Sequence, residues 1–477
     1  MTANPLIRRY RFSQFRPQQL VIFGVLYGCV LSLLLFINIS IYRFGDAFNS
    51  SNTLYDSLFI QFTIMQILMM WLLMPMNCSS AIQKEISEKS FDFFRMLPIP
   101  AYHKATGILV GRNLFNLIIA GINFIFCVVF GILAELPPAL LIQLLLLLIC
   151  FSLALNFASL LSSILSFKKA RSNVLALVLL AIFGFGPVMG GLFEAVDNGD
   201  IQAFKVHFIT IEVPILYLIS AYVLVAAVWF FVGVLRRFSF EYQSLCSRKG
   251  AIFLMITYLF LLYGIFHHFL FDASELARYH QPEPFYIFYI LGLFPLALIP
   301  LFSMRTFDQY VEITRTSKCQ NGLLLRQFLH SNLFLGIILF ALWALVMNVL
   351  CVLTKNPVFE YATFSLLLLT CYLVVVCLVE LYTLYVSESG KIGYLLGFIA
   401  GLYFILPLIF SAIFENDYVA LFSPFGLIAQ FGDRMSPIEW FPVVVWNMVI
   451  LLPLGLLVGR KYLQIDRVRS EIETSNG

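Results

Sequence analysis

Apolar residues occur along this chain in continuous stretches of about 20, separated by shorter segments rich in polar residues, glycine and proline. An α-helix of about 20 apolar residues crosses the hydrocarbon core of a bilayer, whereas strands of a membrane barrel alternate apolar and polar residues. The pattern therefore predicts an all-α polytopic membrane protein. Its twelve predicted transmembrane helices lie at residues 21–42, 57–77, 114–134, 139–166, 174–194, 213–235, 251–271, 285–304, 331–353, 361–386, 392–413 and 440–459.

The basic residues indicate how these helices are oriented. Cytoplasmic loops of membrane proteins carry an excess of lysine and arginine. If both termini are cytoplasmic, most of the 30 basic residues fall on the inner side. The predicted outer side retains Arg43, Lys205, Arg278, Lys355 and Arg434. A wrong number of helices would destroy this asymmetry, so the charges support twelve helices with the N- and C-termini inside.

Composition favours the same class of protein. Hydrophobic residues make up 61% of the 477 residues and charged residues 12%, against about 45–50% and about 25% in soluble domains. The net charge of +4 is too small to indicate a nucleic-acid partner. None of the nine cysteines falls in a predicted outer loop, so we expect no disulfide framework. We expect a multi-pass protein of the bacterial plasma (inner) membrane, surrounded by lipid, whose first helix is retained and is not a signal peptide.

The two sets of six helices have the same layout, which predicts an internal duplication. Arg11–Phe15 precedes the first set and Arg237–Glu241 the second, and both segments begin with Arg-Phe-Ser. In each set the second inner loop is long, at residues 78–113 and 305–330. We predict two parallel six-helix repeats related by a pseudo-two-fold axis along the membrane normal. The predicted parts are an amphipathic N-terminal segment at 1–20, a first transmembrane domain at 21–235, a linker at 236–250, a second transmembrane domain at 251–459 and a cytoplasmic tail at 460–477.

The inner loop after the second helix has apolar residues at helical spacing with charged residues between them. Its apolar positions are Ile82, Ile86, Phe93 and Leu97, and Pro98 and Pro100 follow. Proline ends the pattern because it lacks the N–H that a helix interior needs. The spacing predicts a short amphipathic helix within residues 83–100, close to the membrane. Such a helix either docks into a groove on a soluble partner or rests on lipid headgroups.

This loop resembles the cytoplasmic loop of the permeases of type-2 ABC exporters. The basic segment at residues 5–19 and the Ser-Pro-Phe sequence within residues 421–426 also stand where that family has a basic amphipathic helix and a Ser-Pro-Phe-like segment. The string that carries the resemblance is Glu85-x-x-x-Lys89-x-Phe91-Asp92-x-x-Arg95-x-Leu97-Pro98-Ile99.

The resemblance implies that residues 83–100 form a coupling helix that contacts a cytoplasmic ABC ATPase dimer. It also implies a cleft formed by helices 1, 2 and 5 and their repeats 7, 8 and 11. In the second half the charge alternation recurs, but no Pro-Ile pair follows, so that loop is expected to contact the ATPase differently. The residues assigned to ATPase binding in this way are Glu85, Ile86, Glu88, Asp92, Phe93, Phe94 and Arg95, with Asp308, Glu312 and Arg315 in the second half.

The chain lacks the phosphate-binding loop of an ATPase. No Gly-x-x-x-x-Gly-Lys-Ser/Thr string is present, and Gly390-Lys391 lacks both the upstream glycine and the following hydroxyl residue. We therefore expect a transport subunit that is not an enzyme and has no catalytic residue, metal or cofactor, while ATP and Mg²⁺ bind to the partner ATPase. The expected function is export of an amphipathic or hydrophobic substrate, and a lipid, an amphipathic peptide, an antibiotic or a glycan would each suit.

Glu380 is the charged residue that lies clearly within a predicted helix. Because a charge inside the membrane costs about 2.5–3.5 kcal/mol on insertion scales, Glu380 is a candidate for the transport path. It lies about 9 Å from the inner end of its helix, so contact with the interface or an inner arginine is the alternative. The rival functions are an ion-coupled secondary transporter with two six-helix halves, which would need such a residue, and a membrane assembly protein that transports nothing.

Two further clusters have structural as well as functional interpretations. Histidines and an aspartate near the outer end of the seventh helix would form a metal site only if adjacent histidines faced the same way, so packing is favoured. Glycines and a proline in the fifth helix predict either a re-entrant segment or a kinked helix. The first cluster comprises His267, His268, Asp272 and His280, and the second Gly184, Gly186, Pro187, Gly190 and Gly191.

Overall fold

The computed structural model is helical in most of the chain that it describes. The described residues are 4–14, 17–44, 51–88, 96–165, 205–239, 246–271, 283–302, 331–354, 358–385, 401, 403, 405–414, 422 and 437–475.

The chain forms two compact units, Met1–Val206 with Glu212–Glu241 and His207–Ile211 with Tyr242–Gly477. The helices of the first unit are α1 (Pro5–Gln14), α2 (Pro17–Phe44), α3 (Ser51–Ile67), α4 (Met74–Ser87), α5 (Ala101–Arg112), α6 (Leu114–Leu133), α7 (Pro138–Leu165) and α8 (Ile215–Ser239), with a π-helical turn at Leu68–Leu73. Those of the second unit are α9 (Arg248–Phe271), α10 (Glu283–Phe302), α11 (Asn332–Leu353), α12 (Val358–Tyr385), α13 (Leu406–Phe414) and α14 (Pro437–Ser475). A two-stranded hairpin consists of β1 (Lys205–Phe208) and β2 (Ile211–Pro214).

Eight helical segments within the described residues are long and apolar enough to cross a membrane. Many of their large apolar side chains are exposed, as at Phe253 and Leu452, and lipid is the solvent that such side chains require. The chain is therefore an all-α, multi-pass membrane protein. The eight segments are Leu54–Glu85, Leu114–Leu133, Pro138–Ile164, Ile215–Ser239, Arg248–Phe271, Asn332–Leu353, Tyr361–Tyr382 and Phe441–Ile465.

Four of the twelve predicted spans are not among these eight. The first and the eighth correspond to α2 and α10, which are helical at the expected positions. The fifth, at residues 174–194, lies outside the described residues, and the eleventh, at 392–413, is described only in part through α13. The number twelve and the repeated layout stay predictions.

The second predicted span differs from expectation in length. It was predicted to end at residue 77 and to be followed by a loop over 78–113, but the helix continues to Ser87 and α5 occupies Ala101–Arg112. The polar residues past 77 do not end the helix because it packs on α7 and α5 there and buries Cys78, Ser79 and Ile82. Between α4 and α5 only residues 88 and 96–100 are described, so most of the amphipathic helix predicted within residues 83–100 lies outside the described residues.

Each unit has its own packed interior. In the first unit α7 packs mainly against α8 and α4, and the aromatic rings of Trp71 and Phe151 stack with centroids 4.7 Å apart. In the second unit α12 packs mainly against α14 and α11, and Trp343 on α11 is fully buried against Tyr289 of α10, with ring centroids 4.7 Å apart. Central helices of this kind fix the positions of the polar side chains described next.

Candidate functional site

The second transmembrane helix is interrupted between α3 and α4. In the π-helical turn the N–H of Met74 donates to the carbonyl of Met69, five residues earlier. The next residue, Pro75, has no N–H, so it cannot donate to the carbonyl of Met70 in this wider register or to that of Trp71 in the α-helical register. Carbonyls released in this way within a membrane need other donors.

Helix α7 supplies donors to the interrupted helix. Its hydroxyl row, defined as Ser152, Ser159 and Ser163, lies on one face because the residues are spaced by seven and four positions. Their hydroxyls donate to the carbonyls of Met70 at 3.2 Å, of Pro75 at 2.5 Å and of Ser79 at 3.1 Å, respectively. The three bonds hold α4 and the π-helical turn against α7.

The third transmembrane helix is interrupted near the same place. Helix α5 ends at Arg112, α6 begins at Leu114, and Asn113 between them has φ −103° and ψ 12°. The buried amide of Asn113 donates to the carbonyl of Met74 at 3.3 Å and to the sulfur of Cys78 at 3.1 Å. One side chain therefore joins the interruptions of two neighbouring helices.

Helix lengths indicate where these interruptions lie relative to the membrane. The 20 residues of α6 span about 30 Å, which is enough to cross the hydrocarbon core alone. Helix α5 then extends beyond the core, on the side predicted to be cytoplasmic. It contains Tyr102, His103, Lys104 and Arg112, and burial lowers the pKa of the Lys104 ammonium.

The amphipathic helix α1 is fixed to α5. The Asn4 side chain accepts from the N–H of Leu6 at 3.0 Å, which caps α1, and donates to the carbonyl of His103 at 2.6 Å. Gly107 and Gly111 permit the close approach, since a Cβ on Gly111 would lie 2.8 Å from the ring of Tyr10.

An ion pair links α1 to the end of α4. The guanidinium of Arg9 lies 3.3 Å from the carboxylate of Glu85, whose side chain is only 15% exposed. Burial, and next the charge of Glu85, raise the pKa of the Tyr10 phenol on α1. We call α1, α4 and α5 together the inner assembly.

Two of the predicted ATPase contacts on the first inner loop have described side chains. Glu85 is engaged by Arg9, whereas Glu88 is 55% exposed and only 3.8 Å from Lys84 on the same helix. Ile86 lies on α4. The other predicted contacts lie outside the described residues and stay predictions: Asp92, Phe93, Phe94, Arg95, Asp308, Glu312 and Arg315.

Glu380 is fully buried within the second unit and joins three of its helices. From α14, the hydroxyl of Tyr462 donates to one carboxylate oxygen at 2.6 Å. The backbone N–H of Asn332, the first residue of α11, donates to the other oxygen at 3.3 Å. A helix N-terminus presents free N–H groups and a positive partial charge, so the carboxylate is stabilised there. These contacts give Glu380 a structural role, and its place in a transport path stays a prediction.

The histidines near the predicted outer end of α9 face different neighbours. The ring of His268 stacks on that of His207 with centroids 4.2 Å apart, whereas His267 contacts Tyr263 and Phe271. Across the described part of the chain, no group of three or more potential ligands is placed to hold a metal ion. The cluster's remaining members, Asp272 and His280, and the predicted glycine cluster of the fifth helix lie outside the described residues.

The hydroxyl row and Asn113 were not identified from the sequence. Two signals were present: Ser152, Ser159 and Ser163 stand at helical spacing within an apolar helix, and Pro75 lies inside a predicted span. Hydrophobicity alone indicates that both segments cross the membrane. These signals indicate hydrogen bonds between the two helices only when α7 is known to lie against the proline-interrupted helix.

No protein-family model, curated protein or solved structure matches the chain. The inner assembly nevertheless has a definite physical character. Two of its helices continue into membrane spans, and it exposes Arg8, Arg11, Phe12 and Tyr102. Such an arrangement is suited to transmitting a displacement from the membrane surface into the transmembrane helices.

Proposed function

We propose that this chain is the permease subunit of an ATP-driven ABC exporter, with ATP hydrolysed by a separate dimer of ATPase subunits. The observation that carries the proposal is the continuity of α4 and α5 with the second and third transmembrane helices. The string that resembles the exporter coupling loop begins at Glu85, near the end of α4, and ends at Ile99, just before α5.

Force applied to this segment would reach both helices at once. Helix α4 is linked to α1 by the Arg9–Glu85 ion pair, and α1 is packed on α5 across Gly107 and Gly111. Helices braced in this way resist independent bending. The inner assembly therefore transmits a displacement to the transmembrane helices and does not deform. Closure of the ATPase dimer on ATP would supply the force.

The substrate is an amphipathic or hydrophobic molecule that crosses or leaves the membrane. The predicted spans contain few charged residues, and Glu380 is held by Tyr462 and the backbone of Asn332. A path lined in this way would bind a small ion only weakly, because an ion needs charged or polar groups to replace its hydration shell. Export of an apolar or amphipathic cargo makes no such demand.

The proposal predicts a neighbouring gene for a phosphate-loop ATPase, and the test is co-purification of the full chain with that ATPase. Glu88→Arg reverses the most accessible of the described contact residues, and we expect it to reduce ATPase recovery at least tenfold. Its matched control is Glu212→Arg. Glu212 is similarly exposed, at 57%, and similarly paired, with Lys205 at 3.5 Å, but it lies on the hairpin strand β2, on the predicted outer side.

Glu85 allows a second form of the test. Because Glu85→Arg alone would also break the bond to Arg9, it is combined with Arg9→Glu, which restores an ion pair of opposite polarity. We expect the double variant to purify as well as the native chain yet to lose the ATPase. Full ATPase recovery with both Glu88→Arg and the double variant would contradict the proposed docking surface.

A further inference from the structure

We propose that the inner assembly moves as one lever about the paired interruptions at Leu68–Pro75 and Asn113. Asn113 couples the movements of the second and third transmembrane helices. The drive for this motion rests on the proposed function, but the lever itself is a property of the first unit alone. Three features of that unit support it: a soft joint, stiff packing on either side of the joint, and a buried side chain that bridges the two interruptions.

The joint is soft because Pro75 has no N–H, so the carbonyl of Met70 accepts from the Ser152 hydroxyl in place of a backbone donor. Around the interruption, the carbonyls of Met70, Met74 and Pro75 accept from serine hydroxyls and from the Asn113 amide. A neutral hydrogen bond contributes only about 0.5–1.5 kcal/mol net, and a hydroxyl can rotate to follow a moving acceptor. Bending at a π-helical turn followed by proline therefore costs less than bending an intact helix.

The helices are stiff on the outer side of the joint. The rings of Phe62 on α3 and Phe126 on α6 stack with centroids 5.0 Å apart. The amide of Asn123 on α6 donates to the carbonyl of Phe62 at 3.0 Å and to Gln66 at 2.7 Å. Close packing of this kind transmits displacement without deforming, so α3 and α6 behave as one rigid body.

The helices are also braced on the inner side of the joint. Any side chain at Gly107 or Gly111 would collide with α1, and Asn4 ties the start of α1 to the carbonyl of His103. Helix α4 also packs on α5, and the partly exposed Arg9–Glu85 pair adds a weaker link between α1 and α4. The inner assembly is thus a small rigid body joined to the outer helices through the softer region.

Asn113 is the point at which a second arrangement becomes accessible. Its amide nitrogen makes two bonds across to α4, which Asn123 does not do, and its oxygen, like that of Asn123, is buried and has no donor among the described residues. A buried acceptor without a donor is costly, so a turn of the lever that brings a donor to this oxygen recovers free energy. Such a gain would offset part of the cost of turning the lever, and a switching element requires two arrangements that differ little in free energy.

The test is hydrogen–deuterium exchange by mass spectrometry on the full chain in lipid nanodiscs without any ATPase. Asn113→Leu removes the bridge and keeps the volume of the side chain. We expect the exchange rates in α4 and α5 to rise together, by about tenfold. Losing two hydrogen bonds of this kind should increase the equilibrium constant for local opening by about that factor. Exchange in α3 should stay unchanged.

The matched control is Asn123→Leu, which removes a buried amide of the same kind on the outer side of the joint. We expect this variant to raise exchange in α3 and α6 and to leave α4 and α5 as they are. If Asn113→Leu does not yield a monodisperse protein, Ser159→Ala replaces it and should show the same pattern, weaker.

A rise confined to the residues next to position 113, or the same pattern from both asparagine variants, would overturn the lever. Because no ATPase is present, neither result depends on the proposed function. Conversely, a chain that shows the lever but never binds an ATPase would refute the proposed function and leave the lever in place.

Discussion

The α4–α7 interface of the first unit and the clusters around Asn447 and Glu380 in the second satisfy their buried polar groups in different ways. In the first unit, hydroxyls of α7 donate to backbone carbonyls of an interrupted neighbour. In the second unit, side chains bind one another, as where Asn447 accepts from Tyr403 at 2.5 Å and donates to Thr370 at 2.9 Å. Glu380, moreover, is a carboxylate with no exposure to solvent. Ser159 and Ser163 thus make separate neutral bonds to backbone carbonyls along one interface, whereas Glu380 is the centre of a compact cluster in the second unit.

This difference has mechanical consequences. Bonds in a row can lengthen or exchange one at a time, so the α4–α7 interface can shift in small steps. A buried carboxylate must keep its donors, because leaving a charged group unsatisfied in a medium of low polarity is far more costly than losing a neutral bond. We expect the helices around Glu380 to stay together while the inner assembly of the first unit moves.

The largest effect is expected from Glu380→Ala. The substitution leaves the hydroxyl of Tyr462 and the N–H of Asn332 without their acceptor in the middle of three helices. Two hydrogen bonds to a charged group contribute roughly 3 kcal/mol or more. A loss of this size should lower the melting temperature in detergent by about 6–12 °C, which differential scanning fluorimetry measures.

Glu380→Gln is the matched variant, because it keeps an oxygen acceptor and the side-chain volume but removes the charge. We expect a loss of about half that of Glu380→Ala. An unchanged melting temperature in both variants would show that the contacts around Glu380 do not stabilise the second unit. If Glu380→Gln were as stable as the native chain but inactive in transport, the sequence-based assignment of Glu380 to the transport path would be supported instead.

A smaller, additive effect is expected along the hydroxyl row. Ser159→Ala and Ser163→Ala should each lower the free energy of unfolding by about 1 kcal/mol, and the double variant by their sum, because the two bonds end on different carbonyls. Ser220→Ala is the control, since that buried hydroxyl donates to the carbonyl of Leu216 in its own helix. A double variant that is much less stable than the sum would mean that the row acts as one cluster, as in the second unit.

Much of the helical layout could be predicted from the sequence, because the physical cause is local. A run of apolar residues long enough to cross the bilayer has no stable alternative to a helix there. The starts of α6 and α11, at Leu114 and Asn332, accordingly lie within a residue of those predicted. The extension of the second helix to Ser87 could not be foreseen, because it depends on burial of Ile82 against other helices and not on its own hydrophobicity.

The candidate site was harder to predict because its chemistry depends on neighbours distant in sequence. Asn113 lies 35 residues from Cys78, and Ser159 lies 84 residues from Pro75. Each is unremarkable by itself in a helical segment, since both residue types also bond within their own helix. Glu380 is the opposite case. Its position inside an apolar run identified it as a candidate site residue, but its partners, Tyr462 and the start of α11, are known only from the structure.

The smallest effect is expected from the other engaged carboxylate, Glu85, and it provides the sharpest contrast with Glu380. Arg9 is 61% exposed, so water and salt screen its attraction to Glu85, and such pairs contribute about 0.2–1 kcal/mol. Arg9→Gln, Glu85→Gln and the double variant form a cycle from which the pair's coupling free energy is obtained by thermal unfolding. We expect the coupling to be below about 1 kcal/mol and to decrease further in 0.5 M salt, where charges are screened over a few ångströms. A coupling as large as the effect of Glu380→Ala, or one insensitive to salt, would mean that the joint between α1 and α4 is as firmly fixed as the cluster of the second unit, and the two units would then not differ as described.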